Sequence, residues 1–419
     1  MWIGKGSPDI KIDIAETQKL LESAFYIKGG KCSKVLIIPP DITRLHSGAG
    51  EITQLLYQML GKNDVFHIMT AIGTHEPLSK EQKELMYGDI PWELFKIHDW
   101  RNDVVEIGLV ERDFVSDVSD DRLSMDIPIQ VNKILLENDY DLIISVGQVV
   151  PHENTGFANY TKNILVGIGG QNTINRGHYL AGVYGMEDIM GRIDTPLRKV
   201  FDYAEEKYLK DIDILYVMTV RDRDESGELV TRGLYIGDER KPFEQAAKLS
   251  QRLNITRVKY PLKKVIAYLD PKEYQSHWLG NKSIYRSRMA IADDGELIVI
   301  APGLREYGED PEVDRLIRKY GYHGTEEILQ EVNDNEDLRN NLVAAAHLIH
   351  GSTEGRFKVT YAPGHLSKEE TENVGYQWAD VNQLMEKYNP EKLKDGMNDD
   401  FYYISNPALG LWTAQELEE

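Results

Sequence analysis

Residues 141–163 read DLIISVGQVVPHENTGFANYTKN. An apolar run opens after an aspartate and is too short for a helix; it gives way to a glycine- and asparagine-bearing stretch that presents His152 and, ten positions on, Lys162. Short β-branched runs of this kind, bounded by Gly, Pro or Asp, read as strands buried on both faces of a parallel sheet. The form recurs in KVLIIPP (34–40), VFHIMTAIG (65–73), NILVGIG (163–169) and DILYVMTV (213–220). Between the runs, AGEITQLLYQMLG (49–61) and PLRKVFDYAEEKYL (196–209) carry apolar residues at three- and four-residue spacing, which predicts helices. Alternation of strand and helix predicts an α/β fold with an open, mostly parallel sheet, helices on both faces, and ligands beyond the carboxyl ends of strands.

After GELVTRGLYIGD and the helix KPFEQAAKLSQRLN (241–254) a second set follows. KKVIAYLD, ELIVIAPG and RFKVTYAP read as strands; IYRSRMAIAD, EVDRLIRKYG and LRNNLVAAAHLIHG read as helices. A chain of 419 residues exceeds the usual size of a single core, about 250–300 residues. We therefore expect an N-terminal α/β domain over 1–258 and a smaller C-terminal α/β domain over 259–419, closing a cleft that holds the site.

Acidic residues number 69 against 48 basic ones, a net charge of −21, which repels nucleic acid and anionic membrane. One cysteine, Cys32, excludes an internal disulfide and a cysteine-based zinc site. No run approaches the ~20 apolar residues of a membrane span, and the first residues lack a signal-peptide pattern, so a cytoplasmic protein is expected.

The chemistry gathers where strands end. IIPPDITRLHSG offers Asp41, Thr43 and Arg44; AIGTHEP offers His75; SVGQVVPH ends in His152; NILVGIGGQNTINRGH runs from beyond Lys162 through the glycines of GIGG to His178. The glycines, Gly169 and Gly170 among them, lack the full dinucleotide-binding spacing, but their amides could hold a phosphate, or simply make a tight turn. His347 and His350, three apart on a helix, could hold a metal but fit a packed face better. By residue type alone His75, His152 and His178 could make a three-histidine zinc site of a metallohydrolase, which leaves Lys162 without a role.

DITR, GTH, VPH with a lysine ten positions on, and a histidine sixteen beyond that resemble the lactate racemase family of nickel-pincer nucleotide-dependent 2-hydroxy acid racemases and epimerases. The resemblance implies a pyridinium mononucleotide with two sulfur-bearing arms, tethered to Lys162, with nickel held by His178. It implies acid/base roles for His75 and His152, substrate contacts for Arg44 and, through WLGNKSIYRSRMAIADDGELIVIAPG, for Lys282, and a cofactor-positioning role for Asp41 and Thr43. It further implies separate cofactor-maturation enzymes as partners, a small-molecule 2-hydroxy acid as substrate, and hydride transfer through a planar 2-keto acid. A non-catalytic relative that carries the nucleotide is the other reading the resemblance permits. The chain departs from the family pattern in DITR for DHTR, in GFANYTK for GFSGGRK, and in Leu279 for glutamine. Asn159 and Tyr160 at glycine positions suggest a reshaped loop. With Trp278, Asn281, Tyr285 and Arg286 expected near the cleft, a longer acid such as a sugar acid is favoured over lactate.

Overall fold

In the computed structural model, which describes residues 1–29, 32–137 and 139–414, the chain divides into two compact units. The first comprises Met1–Gly177 and Met190–Asn254; the second takes His178–Ile189 and the chain from Ile255 on. Each is an α/β body built on a largely parallel sheet.

Seven strands make the sheet of the first unit: β1 (Trp2–Gly6), β2 (Lys34–Ile38), β3 (Val65–Met69), β4 (Phe95–Lys96), β5 (Leu142–Gln148), β6 (Ile214–Arg223) and β7 (Leu229–Gly237). Their order is β1-β7-β6-β5-β2-β3-β4. From β6 to β4 every pairing is parallel, and β7 alone runs antiparallel to both its neighbours. All seven residues of β5 are buried, the reason its run shows no polar alternation.

Helices that flank the sheet and its loops include α1 (Ile14–Lys28), α2 (Ala49–Leu60), α3 (Lys80–Tyr87), α4 (Thr161–Leu165), α5 (Gln171–Tyr184), α6 (Pro196–Ala204) and α7 (Arg240–Leu253). One sheet face packs Val35, Ile37, Ile144, Val146, Leu215 and Val217 against Leu21 of α1, Leu56 of α2 and Met86 of α3. On the other face Tyr216 meets the ring of Tyr160 at 4.6 Å, and Tyr160 stacks on Phe243 of α7. Alternate side chains of one strand thus serve opposite layers, as the period of two requires.

Strand order reverses between β2 and β5. The chain steps from β2 outward to β3 and β4, and from β5 outward to β6 on the opposite side, so the loops leaving β2 and β5 diverge and open a crevice at their carboxyl ends. Asn163 bridges this point: its Nδ2 donates to Ile38 O at 3.0 Å, at the end of β2, and to Ser145 Oγ at 2.9 Å, on β5.

NILVGIG is not a strand. Thr161–Leu165 forms the single turn and a half of α4, and the carbonyls of Lys162 and Ile164 take the amides of Val166, Gly167 and Ile168. A short buried apolar run carries no periodicity that separates the two states, and the left-handed entry at Tyr160 decides for the helix. His178 accordingly lies within α5 rather than after a strand.

The second unit carries β8 (Leu262–Tyr268), β9 (Ile291–Ala301), β10 (Lys358–Pro363), β11 (Gln377–Trp378), β12 (Gly396–Asn398) and β13 (Phe401–Ile404), ordered β11-β10-β9-β8-β13-β12. Only β12 is antiparallel in this sheet. IYRSRMAIAD, expected as one helix, splits: helix Lys282–Tyr285, a 3-10 turn at Arg288–Ala290, and then β9, because Ile291 already pairs with Leu262. Among the described residues no helix is long and apolar enough to cross a membrane.

Asn163→Ala removes both donors at the strand reversal and leaves the Ile38 carbonyl unserved. A stability loss of about 1–3 kcal/mol is expected in chemical unfolding, at unchanged denaturant dependence.

Candidate active site

β2 leaves through Pro39 and Pro40, and Asp41 then caps the turn Ile42–Ser47 by accepting from Thr43 N at 3.1 Å through Oδ1. Its other oxygen, Oδ2, sits 2.6 Å from His75 Nδ1. Asp41 is buried; burial pushes its carboxyl up, but the bonds from His75 and Thr43 and the charge of Arg44 outweigh this and hold it below the ordinary carboxylate range. A carboxylate accepts only, so Nδ1 of His75 carries the proton and Nε2 presents a lone pair when the ring is neutral. Asp41, for which a cofactor-positioning role is expected, orients this histidine through that bond.

His75 itself follows β3 through a left-handed Gly73, whose amide donates to Gly167 O at 2.8 Å and so ties the β3 loop to the turn after α4. The ring is 49% exposed, enough to meet a ligand.

Beyond β5, Pro151–His152 pairs with Gly156–Phe157 in a two-stranded ribbon. His152 is buried, and its Nδ1 accepts from Asn154 N at 3.1 Å, which puts the proton of the neutral ring on Nε2, 3.7 Å from Glu153 Oε1. The two imidazoles are therefore set in opposite tautomers, one by a carboxylate acceptor and the other by an amide donor.

Lys162 is the second residue of α4, where Asn163 anchors the helix at the strand reversal. Burial, above all, and the nearby positive charge of Arg44 lower its amine to about 8, with Arg198 adding to the effect and Glu153 and Asp41 opposing it. The surrounding charges come from the loops after β2 and β5 and from α6, so Asp41, Arg44, Glu153 and Arg198 lie near the Lys162 amine, and His75 joins them through its bond to Asp41.

The loop before Lys162 holds two consecutive left-handed residues, Asn159 (φ +68°) and Tyr160 (φ +56°). Two residues with side chains thus hold a bend that glycine adopts freely, a conformation that costs about 1–3 kcal/mol at each such position. In the same loop region three buried polar atoms lack a hydrogen-bond partner: Gln148 Oε1, Asn154 Oδ1 and Asn159 Nδ2.

Gly169 and Gly170 do not form a phosphate cradle. The amides of Gly167, Ile168, Gly169 and Gly170 all donate to protein carbonyls, and a Cβ on Gly169 would lie 2.0 Å from Leu165 O. These glycines permit close backbone approach, which is the turn reading of the run. Thr43 is exposed at the crevice mouth, and Arg44 is half-buried.

His178, half-buried on α5, belongs by contact to the second unit, as does Lys282, half-buried at the start of its short helix. Among the described residues no group of three or more His, Cys, Asp or Glu side chains is arranged to hold a metal, so the three-histidine zinc site finds no support. His347 and His350 are buried on the helix Leu342–Gly351, where His347 stacks on Trp278 and its Nε2 bonds Tyr322 Oη at 3.1 Å: a packed face. Asn281, expected near the cleft, is buried beside His347.

Sequence reasoning missed Arg198. It is fully buried on α6, within an otherwise apolar stripe, and nothing in its spacing marks it.

A largely parallel sheet whose strand order reverses, with helices on its faces, defines a doubly wound α/β protein. Over residues 19–186 the chain matches the model of the lactate racemase N-terminal domain. A crystal structure of a protein from Thermotoga maritima is similar at TM-score 0.80 and 25% identity, over 97% of this chain and 99% of that one. The lactate racemase apoprotein from Thermoanaerobacterium thermosaccharolyticum shares the fold at TM-score 0.69 and 17% identity, over 96% and 93% of the two chains. No curated protein matches.

The lowered amine has a direct signature. Acylation of Lys162, followed by peptide mapping, should rise about tenfold per pH unit and level off above pH 8, where ordinary lysines keep rising to about 10.4. A Lys162 profile that tracks surface lysines contradicts the burial argument.

Proposed function

We propose that the protein is a racemase or epimerase that inverts C2 of a 2-hydroxy acid with the help of a nickel-pincer nucleotide. The observation that carries the reading is the placing, where the β2 and β5 loops diverge, of an amine lowered to about 8 near Asp41, which orients the His75 imidazole, while the β5 loop carries a second imidazole, His152. The residues fit the group. A partly neutral amine suits covalent attachment at Lys162, and the three partnerless buried atoms beside it suit a polar ligand. Lys162 would tether the nucleotide and His178 would ligate its nickel.

When bound, the cofactor supplies the acceptor for the C2 hydride, and a planar 2-keto acid is the species that can be reduced on either face. The chain's own residues handle the proton and the carboxylate. His75 Nε2 takes the hydroxyl proton, and the Asp41 carboxylate stabilises the imidazolium that results. His152 presents its Nε2 proton to the substrate oxygen in the opposite orientation. Its Nδ1 is occupied by the Asn154 amide, so its proton exchange with the substrate runs through Nε2. Arg44 meets the substrate carboxylate with a guanidinium fork. Lys282 keeps the substrate-binding role that the family resemblance gives it, and a sugar acid remains the favoured substrate class.

The test is chiral chromatography of single enantiomers of 2-hydroxy acids, aldonates included, incubated with protein co-expressed with cofactor-making enzymes. Inversion of at least one acid is expected, and none by nickel-loaded protein would end the reading. His75→Ala and His152→Ala should each lower the inversion rate by about 10²–10⁴ and leave nickel content unchanged, whereas His178→Ala should lose nickel.

A further inference from the structure

The segment that presents Lys162 is bent against its own preference and must be held. Left-handed backbone at Asn159 and Tyr160 is disfavoured in both residues, and the local compensation at Asn159 is its Oδ1, which accepts from Tyr160 N at 2.8 Å.

Arg198 surrounds this bend from beneath. Its Nη2 donates to Phe157 O at 2.7 Å, while Nη1 donates to Asn159 O at 3.2 Å and to Thr161 Oγ1 at 2.7 Å. These acceptors bracket the two left-handed residues on both sides. The guanidinium carbon lies 4.5 Å from the Phe243 ring centroid, the same ring on which Tyr160 stacks. Thr161 Oγ1, having accepted from Arg198, donates to Asp202 Oδ1 at 2.9 Å, and Arg240 pairs with the other oxygen of Asp202. A fully buried arginine whose hydrogen bonds go to two backbone carbonyls and a hydroxyl, rather than to a carboxylate, is an expensive way to stabilise a fold. Its geometry suits one task, the fixing of a planar set of acceptors on a bent backbone, for which a five-donor rigid fork is fitted and an ammonium is not.

We propose that Arg198 is a positioning residue that clamps the bend at 157–161 and thereby fixes the Lys162 amine in its buried setting. The proposal rests on the reading of Lys162 as the functional amine. Four charged groups face that amine: Arg44 and Asp41 from the β2 loop, Glu153 from the β5 loop, and Arg198 from α6. With the clamp released, the loop can relax out of its left-handed conformation, Lys162 gains water, and its titration moves toward that of an ordinary lysine.

The experiment is the pH profile of Lys162 acylation, read by peptide mapping on the cofactor-free chain for the wild type, Arg198→Met and Arg198→Lys. The midpoint of each profile is compared, so that a change in plateau rate from altered access does not enter. Arg198→Lys keeps the charge and most of the volume, and it decides the matter if Arg198→Met does not fold. A higher midpoint in Arg198→Lys is expected, with labelling at pH 7.5 falling about tenfold for every pH unit by which the midpoint rises. Asn159→Gly added to Arg198→Lys removes the cost of the bend and should return the midpoint toward the wild-type value, a rescue that a merely stabilising role for Arg198 would not produce. An unmoved midpoint in Arg198→Lys overturns the clamp, and so does a change that appears in Arg198→Met alone, because the charge rather than the fork would then be at work. Because the profile needs no cofactor, its failure is distinct from a failure to invert a hydroxy acid, which would end the functional reading and leave the clamp standing.

Discussion

The desolvation of one amine organises the rest of the site. An ammonium moved among protein atoms loses hydration that only strong partners restore, and Lys162 is given instead a nearby guanidinium and two carboxylates that do not fully compensate. The chain keeps the amine there by building around it. Asn163 fastens its helix to the ends of β2 and β5, and Arg198 fastens the bend that precedes it. A surface lysine would need none of this.

The same crevice sets its two imidazoles apart by elementary hydrogen-bond logic. A carboxylate can only accept, so Asp41 makes His75 a donor at Nδ1; a backbone amide can only donate, so Asn154 makes His152 an acceptor at Nδ1. Two rings of identical chemistry thereby present different nitrogens as donor and acceptor. The asymmetry comes from the loops that follow β3 and β5, while the strands beneath supply the rigid frame.

Much of this was legible in the sequence, for a physical reason. Strands buried on both faces leave continuous apolar runs, and a parallel sheet puts its ligand groups at the ends of those runs, so Asp41, Arg44, His75 and His152 could be read from the residues following KVLII, VFHIM and DLIISVG. The match to the lactate racemase N-terminal domain over residues 19–186 spans these groups. What was not legible depends on contacts between distant segments. NILVGIG looked like a further strand because six buried residues have no period to betray a helix. The partner of Asp41 lies 34 positions away, and Arg198 reaches carbonyls about 40 positions away, so neither relation leaves a local mark. Asn159 and Tyr160 left no local mark of their own conformation either: both take positive φ, which their residue types do not announce.

The central claim is that Lys162 carries the cofactor, and peptide mapping by mass spectrometry combined with metal analysis addresses it most directly. After co-expression with the enzymes that make a nickel-pincer nucleotide, the account predicts a covalent nucleotide adduct on the peptide containing Lys162, close to one nickel per chain, and neither in Lys162→Ala. An unmodified Lys162 peptide from the same preparation, under conditions that load a known lactate racemase, would contradict it.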